Sequence, residues 1–186
     1  VAPQLLRRLP GGRLVIGATA LAKNVWDPLQ EALGAAGIAV ISLHSMESCM
    51  ALAAPATGER TAVLDCSSGR ARFVLCDGQS AVQVRRFLVG NAGDGGGGAL
   101  VAQLAMELPR TLDWLRETGH QPPQALVLGT RIEIDAESRE MLRGDLQRVD
   151  CAAVDFELAE DAARPGLATA MLLTRLCADQ PRPSLL

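Results

Sequence analysis

Residues 61–88, TAVLDCSSGRARFVLCDGQSAVQVRRFL, constrain this chain more than any other stretch. They read as a three-stranded antiparallel meander whose first strand ends in an acid at a tight turn. Residues 61–66 are a short β-branched and apolar run, Ser67-Ser68-Gly69 turns it, and residues 70–76 return. On the return, Ala71, Phe73 and Leu75 share one face while Arg70, Arg72 and Val74 share the other. That alternation is the period of a half-covered strand. Asp77-Gly78 supplies the positive-φ residues a second tight turn needs, and Val82, Val84 and Leu88 place the third strand's apolar residues on one face.

Upstream, residues 1–12 carry slight Leu/Arg amphipathicity and end in the turn Pro10-Gly11-Gly12. Residues 13–17 (RLVIG) predict a short buried strand. Residues 20–36 predict a helix, with Trp26, Leu29, Leu33 and Ala36 at spacings of three and four, Pro28 near its start and Gly37 as its stop. Residues 38–43 (IAVISL) predict a second buried strand, and residues 45–54 a short helix ended by Pro55. The order is β-α-β-α.

Downstream of the meander, the glycine run 91–98 invites a phosphate-loop reading. No Lys-Ser/Thr follows it and no G-x-G-x-x-G opens a helix after a first parallel strand, so a flexible loop before a helix is the expectation. Residues 99–119 predict the longest helix. Val101, Leu104, Leu108, Leu112 and Leu115 line one side, Glu107, Arg110, Asp113 and Arg116 the other, and Pro109 is expected to bend it. Residues 125–128 (ALVL) predict a buried strand leading to a turn at Gly129-Thr130. Asp135 caps a helix through Arg148, residues 151–154 predict a strand, and Pro165 opens a last helix to about Ala178.

From residue 61 the order is therefore β-β-β-α-β-α-β-α. Three antiparallel strands followed by parallel strands on crossover helices is the ribonuclease-H-like layout, an α/β mixed sheet with helices on both faces. Residues 13–54 repeat the β-α-β-α order of residues 125–178 without sequence identity. This predicts an incomplete unit over residues 1–58, whose opening meander is missing, followed by a second unit over 59–186.

Composition narrows the function classes. The chain has 186 residues, 48% of them hydrophobic, and a formal net charge of −3, which disfavours a nucleic-acid surface. Five scattered cysteines without a C-x-x-C pair, and His44 and His120 far from any Cys cluster, argue against zinc and for reduced thiols in a core. No apolar run approaches the roughly 20 residues of a membrane span. The sequence opens on Val rather than Met, which leaves room for an anchor beyond either end.

Two ribonuclease-H-like units in tandem is the actin-like plan, and three stretches resemble one branch of it. LVIGATALAKNVWDPLQEALGAAGIAVISLHSMESCMALAA, TAVLDCSSGRARFVLCDG and RPGLATAMLLTRL resemble, in order and spacing, segments of PilM-like proteins. These are actin-like components of the cytoplasmic platform of type IV and MSHA-type pili, related to the L proteins of type II secretion. The resemblance implies a bacterial protein, cytoplasmic and associated with or anchored at the inner membrane. It also implies as partners a PilN-like bitopic membrane protein's tail or the pilus or secretion ATPase, with a homodimer open and no nucleic acid.

In actin-like ATPases the turn after the second domain's first strand gives backbone N–H groups to nucleotide phosphates, and its acid acts on metal or water. Carried over, that acid is Asp65, followed by Ser67, Ser68 and Gly69; the adenosine-side turn corresponds to Gly129 and Thr130. Ser67 stands where the family carries Gly, which matters because a side chain keeps backbone from phosphate. Thr130 departs from a Gly-Gly pair. The other phosphate turn falls in the missing meander, so no cofactor site is complete in this chain, and ATP with Mg belongs to a longer parent if to anything. The plain alternative for Asp65 is an acid capping its turn through Ser68 or Gly69. No Ser/His/Asp or Cys/His arrangement is readable, His44 reads as structural, and no metal set is expected. The leading expectation is a non-enzymatic binding platform; the alternatives are an ATP-hydrolysing or kinase-like member using Asp65, and a regulatory ribonuclease-H-like domain of other lineage. Nuclease chemistry would need several clustered acids, and only Asp65 is suitably placed.

Overall fold

The computed structural model describes residues 2–8, 14–19, 21–39, 45–54, 60–66, 69–90, 96–130, 134–148 and 153–158. The chain divides into two compact units, Val1–Ser45 and Met46–Leu186.

In the first unit, β1 (Ala2–Arg8) and β2 (Leu14–Thr19) pair antiparallel, from Ala2 opposite Thr19 to Arg8 opposite Leu14, with the register slipping between Leu5 and Arg7. The amphipathic reading of the first residues missed β1, because a strand holding Pro3 and an Arg pair has no clean period of two. The element order here is thus β-β-α rather than the expected single strand before the helix. Helix α1 (Lys23–Ala35) follows, and Pro28 lies in its second turn rather than its first. It stops at Gly37 as expected. The Gly37 N–H bonds the Gly34 carbonyl and the Ile38 N–H the Leu33 carbonyl, a closure that needs the positive φ of 71° at Gly37. No residue of α1 is buried; Trp26 and Leu33 are half-covered, while Leu29 is exposed. The strand expected at 38–43 falls largely outside the described residues, as does His44.

The second unit is built on a five-stranded sheet ordered β5-β4-β3-β6-β7. Strands β3 (Arg60–Asp65), β4 (Arg70–Asp77) and β5 (Ser80–Leu88) form the meander, antiparallel throughout. Strands β6 (Ala125–Thr130) and β7 (Ala153–Leu158) extend it in parallel from the other side of β3. They are reached through helices α3 (Gly96–Glu117) and α4 (Ala136–Gln147). This is the ribonuclease-H-like arrangement on which actin-like proteins are built, with central β3 buried among neighbours on both edges.

Each sheet face has its own core. Ala62, Leu64, Ala71, Phe73, Leu75, Leu126 and Leu128 face α3 and α4. All five apolar residues expected on one side of α3 are buried there, and the expected outer pairs close as ion pairs, Arg110 to Glu107 at 2.9 Å and Arg116 to Asp113 at 2.7 Å. The helix begins inside the glycine run, at Gly96, and Pro109 does not interrupt it.

On the opposite face Val63, Val74, Cys76 and Val127 pack with Cys49, Met50, Ala51 and Ala54. These come from α2 (Met46–Met50) and the 3₁₀ turn Ala51–Ala53 that continues it. The sheet is therefore covered on both faces, and β4 is not the half-exposed strand its arginines suggest. Residues 46–54, read from sequence with the first domain, pack on this sheet, because Met50 and Cys49 fill a face its valines would otherwise expose.

Two local expectations are corrected at β5. Asp77 pairs with Ser80 and belongs to the strand, so the turn is Gly78-Gln79, with φ of 55° at Gly78. The register also shifts between Leu75 and Cys76, leaving Val82 as an extra residue. Val82 consequently packs on the α3 side and Val84 on the α2 side, while Leu88 is exposed; the three do not share a face. The last helix expected, from Pro165, lies outside the described residues.

Candidate functional site

Asp65 ends β3, the central strand, and is half-buried. Across the antiparallel ladder it faces Arg72, and across the parallel ladder Gly129. The Cys66 N–H donates to the Gly129 carbonyl at 2.8 Å, so the two strands stay paired one residue past the acid. Arg72 in turn faces Arg86 of β5, and Gly129 faces Glu157 of β7. One lateral row thus runs Glu157, Gly129, Asp65, Arg72, Arg86 across the whole sheet.

Period-two alternation puts Asp65, Arg72 and Arg86 on the face of Val63, Val74 and Val127, the side covered by α2. Glu47 of α2 sits over its arginine half. Its Oε1 accepts from Arg86 at 2.6 Å and lies 3.3 Å from Arg72 Nε, with only 16% of the Glu47 side chain exposed. That Nε is buried and forms no well-directed hydrogen bond, so Arg72 is held by charge at an imperfect angle. Burial pushes the Glu47 carboxyl up, but the Arg86 hydrogen bond, a backbone bond of its own and the charges of Arg72 and Arg86 outweigh it. The net result lies below the usual carboxylate range.

Next to Asp65, burial and then the Asp65 charge push the Cys66 thiol far up, which leaves it a packed, unreactive sulfur. Cys49 is raised by burial and then by Glu47, and burial alone raises Cys76 to about 12.

Of the sequence-predicted site residues, the structure brings Asp65 and Gly129 side by side. Gly69 follows with φ of 70°, the left-handed backbone its turn requires, and its carbonyl accepts the Val89 N–H at 3.2 Å. Ser67 and Ser68 lie outside the described residues. Gly129 and Thr130 are strand residues rather than a turn: Gly129 pairs on both edges of β6, and Thr130 is buried opposite Leu158. Their ladder backbone is committed to neighbouring strands, so the pair does not fit the free turn that a nucleotide's adenosine side would use. Among the described residues no three His, Cys, Asp or Glu side chains gather closely enough to hold a metal ion.

Sequence reading missed Glu47, Arg72 and Arg86 as a group. The only local trace is the Arg70/Arg72 alternation, because Glu47 meets Arg86 39 positions away in the chain. It missed equally the clasp at the other face, where Arg85 donates to Thr111 Oγ1 at 2.8 Å and lies 3.5 Å from Glu107.

No protein-family model matches the sequence, and no curated protein matches it. Among solved structures, a chain of the PilM-PilN type IV pilus biogenesis complex superposes with a TM-score of 0.48 at 19% identity, over 82% of this chain and 57% of that one. A protein of Bacteroides thetaiotaomicron with an actin-like ATPase fold and unknown function gives 0.43 at 8% identity, over 69% and 42%. Thermus thermophilus RuvC gives 0.31 at 15%, over 67% and 84%. The chain spans little more than half of the first of these proteins and less than half of the second. The fold assignment rests on strand order and register.

Proposed function

We propose that this chain is part of an actin-like platform protein of a type IV pilus or type II secretion system, a binding scaffold rather than an enzyme. Its partners are the cytoplasmic tail of a PilN-like inner-membrane protein, the assembly ATPase, or both. One observation carries the reading. The position where an ATPase of this fold grips phosphate keeps its acid, Asp65, while the pair expected on the adenosine side, Gly129-Thr130, is drawn into the β6 ladder. The ribonuclease-H-like sheet and the three PilM-like stretches of sequence support the same reading. Among the described residues no helix is long and apolar enough to cross a membrane.

The test is calorimetric titration of the full-length parent with a synthetic PilN-like tail and, separately, with the assembly ATPase domain. Saturable binding to either is expected. Binding to neither removes the reading.

A second reading, ATP hydrolysis, is favoured by one feature: Gly129 places no side chain beside Asp65. Mg-ATP titrated into the full-length parent separates the two, and turnover unaffected by Asp65→Ala would refute a chemical role for the acid.

A further inference from the structure

Strand β5 is one edge of the five-stranded sheet, and among the described residues no strand pairs with its outer side. It is nine residues long, contains no Pro, and beyond the slip at Leu75 pairs with β4 without a break from Gln83 to Leu88. Just past its end, the Val89 N–H bonds the Gly69 carbonyl. Residues whose backbone groups point toward one neighbour alternate along an antiparallel strand with residues whose groups point away. Phe87, Arg85 and Gln83 therefore turn theirs to β4 with Val89, and Val84, Arg86 and Leu88 turn theirs to the open side.

A row of open N–H and C=O groups is a template for one more strand, and the side chains beside it select which. Arg86 has 65% of its side chain exposed and Leu88 is 67% exposed. Arg70 and Arg72 lie opposite these two on β4 and share their face. The carboxylates at this end of the face are Glu47, which Arg72 and Arg86 share, and Asp65, so positive charge is in excess on a chain whose formal net charge is −3. On the α3 side, Arg85 and Arg110 likewise share Glu107. A second copy adding its own β5 would bring the arginines of both copies together, so charge opposes self-pairing. We propose that this edge docks an extended acidic segment of another protein, which adds to the sheet antiparallel to β5. Its backbone bonds Val84, Arg86 and Leu88, and its carboxylates on the α2 side meet Arg86 and its neighbouring arginines. The inference goes beyond the platform reading and rests on β5 alone.

Fluorescence anisotropy of a short fluorescein-labelled peptide of alternating Val and Glu, titrated with this protein, tests the edge. Saturable binding is expected. A peptide with Lys in place of Glu reverses the charge, and one methylated at the Glu backbone nitrogens keeps the charge but loses the N–H groups that would face β5. Each should bind at least about tenfold more weakly. In the protein, Leu88→Pro removes an outward donor while leaving the ladder to β4 intact, and should weaken binding to a similar degree. No binding of the Glu peptide overturns the proposal and leaves the arginines as a guard against aggregation. Binding unchanged by N-methylation overturns it too, since charge alone would then hold the peptide. If Leu88→Pro does not fold, the N-methylated peptide on the unmodified protein decides.

Discussion

Val63 of β3 and Val127 of β6 are direct partners in a parallel ladder, although 64 positions separate them in the sequence. That pairing joins the antiparallel meander to the parallel half of the sheet, and both side chains are buried on the face that α2 covers. The two halves of the second unit therefore share one core per face and stand or fall together.

Phe73 is the largest residue of the α3-side core and is fully buried, opposite Leu64 in the ladder. Phe73→Ala should cost about 3–5 kcal/mol by denaturant unfolding, because lost transfer energy and a cavity add. Leu88, 67% exposed on the same meander, should tolerate Gln within about 0.5 kcal/mol.

Arg85 ties β5 to α3 through Thr111 and Glu107, and its guanidinium lies 6.0 Å from the Phe87 ring centre. Arg85→Met should destabilise by about 1–2 kcal/mol, since it removes one of two partners from the buried Thr111 hydroxyl, which keeps its bond to the Glu107 carbonyl, and one of two arginines from the Glu107 carboxylate. Combined with Glu107→Gln, the two losses should be less than additive by about 0.5–1 kcal/mol in a double-mutant cycle. Strict additivity would mean the clasp carries no energy of its own.

Asp135 caps α4, accepting from the Ser138 N–H at 2.8 Å and from its hydroxyl at 2.9 Å. The Ser138 backbone bond, then its hydroxyl, hold the carboxyl below its ordinary value. A carboxylate depressed in the folded state adds stability in full above its unfolded pKa and loses it as pH falls through the folded one. The stability of the unmodified protein should therefore decline on the acid side more steeply than that of Asp135→Asn, which keeps a neutral acceptor. Parallel unfolding curves at pH 7 and pH 3 check this.

The buried thiols make the opposite prediction. Cys76 is raised from its ordinary 9.0 to about 12 by burial, so the folded chain keeps a proton the unfolded chain gives up. Its contribution is intact below 9.0 and is lost as pH rises toward about 12, so stability should fall across that alkaline window and fall less in Cys76→Ala. At pH 8, peptide-resolved maleimide labelling should leave Cys66 and Cys76 unreacted in the folded protein and modify both in denaturant.

Much of the second unit was legible because its signals are local. The alternation along residues 70–76, the three-and-four spacing of Val101, Leu104, Leu108, Leu112 and Leu115, and an Asp three residues before Ser138 each report a choice made within a few bonds. The same holds for Asp65 at a strand end before a Gly with left-handed backbone. These features led from the residues to the strand order and to one candidate acid.

What surrounds that acid was settled only by tertiary pairing. Whether Gly129-Thr130 turns or continues depends on β7 arriving to take its backbone groups, and a strand legible at 151–154 does not by itself say which residues it will pair with. Val82 and Val84 share a parity in the sequence yet part company because the ladder with β4 slips between them, a consequence of two strands and not of one. Glu47, Arg72 and Arg86 become neighbours only once α2 is laid on the sheet. Local periodicity decides which faces are apolar; which distant charges meet on those faces is decided by the chain's long-range contacts, because only these bring residues so far apart in sequence within reach of each other's field.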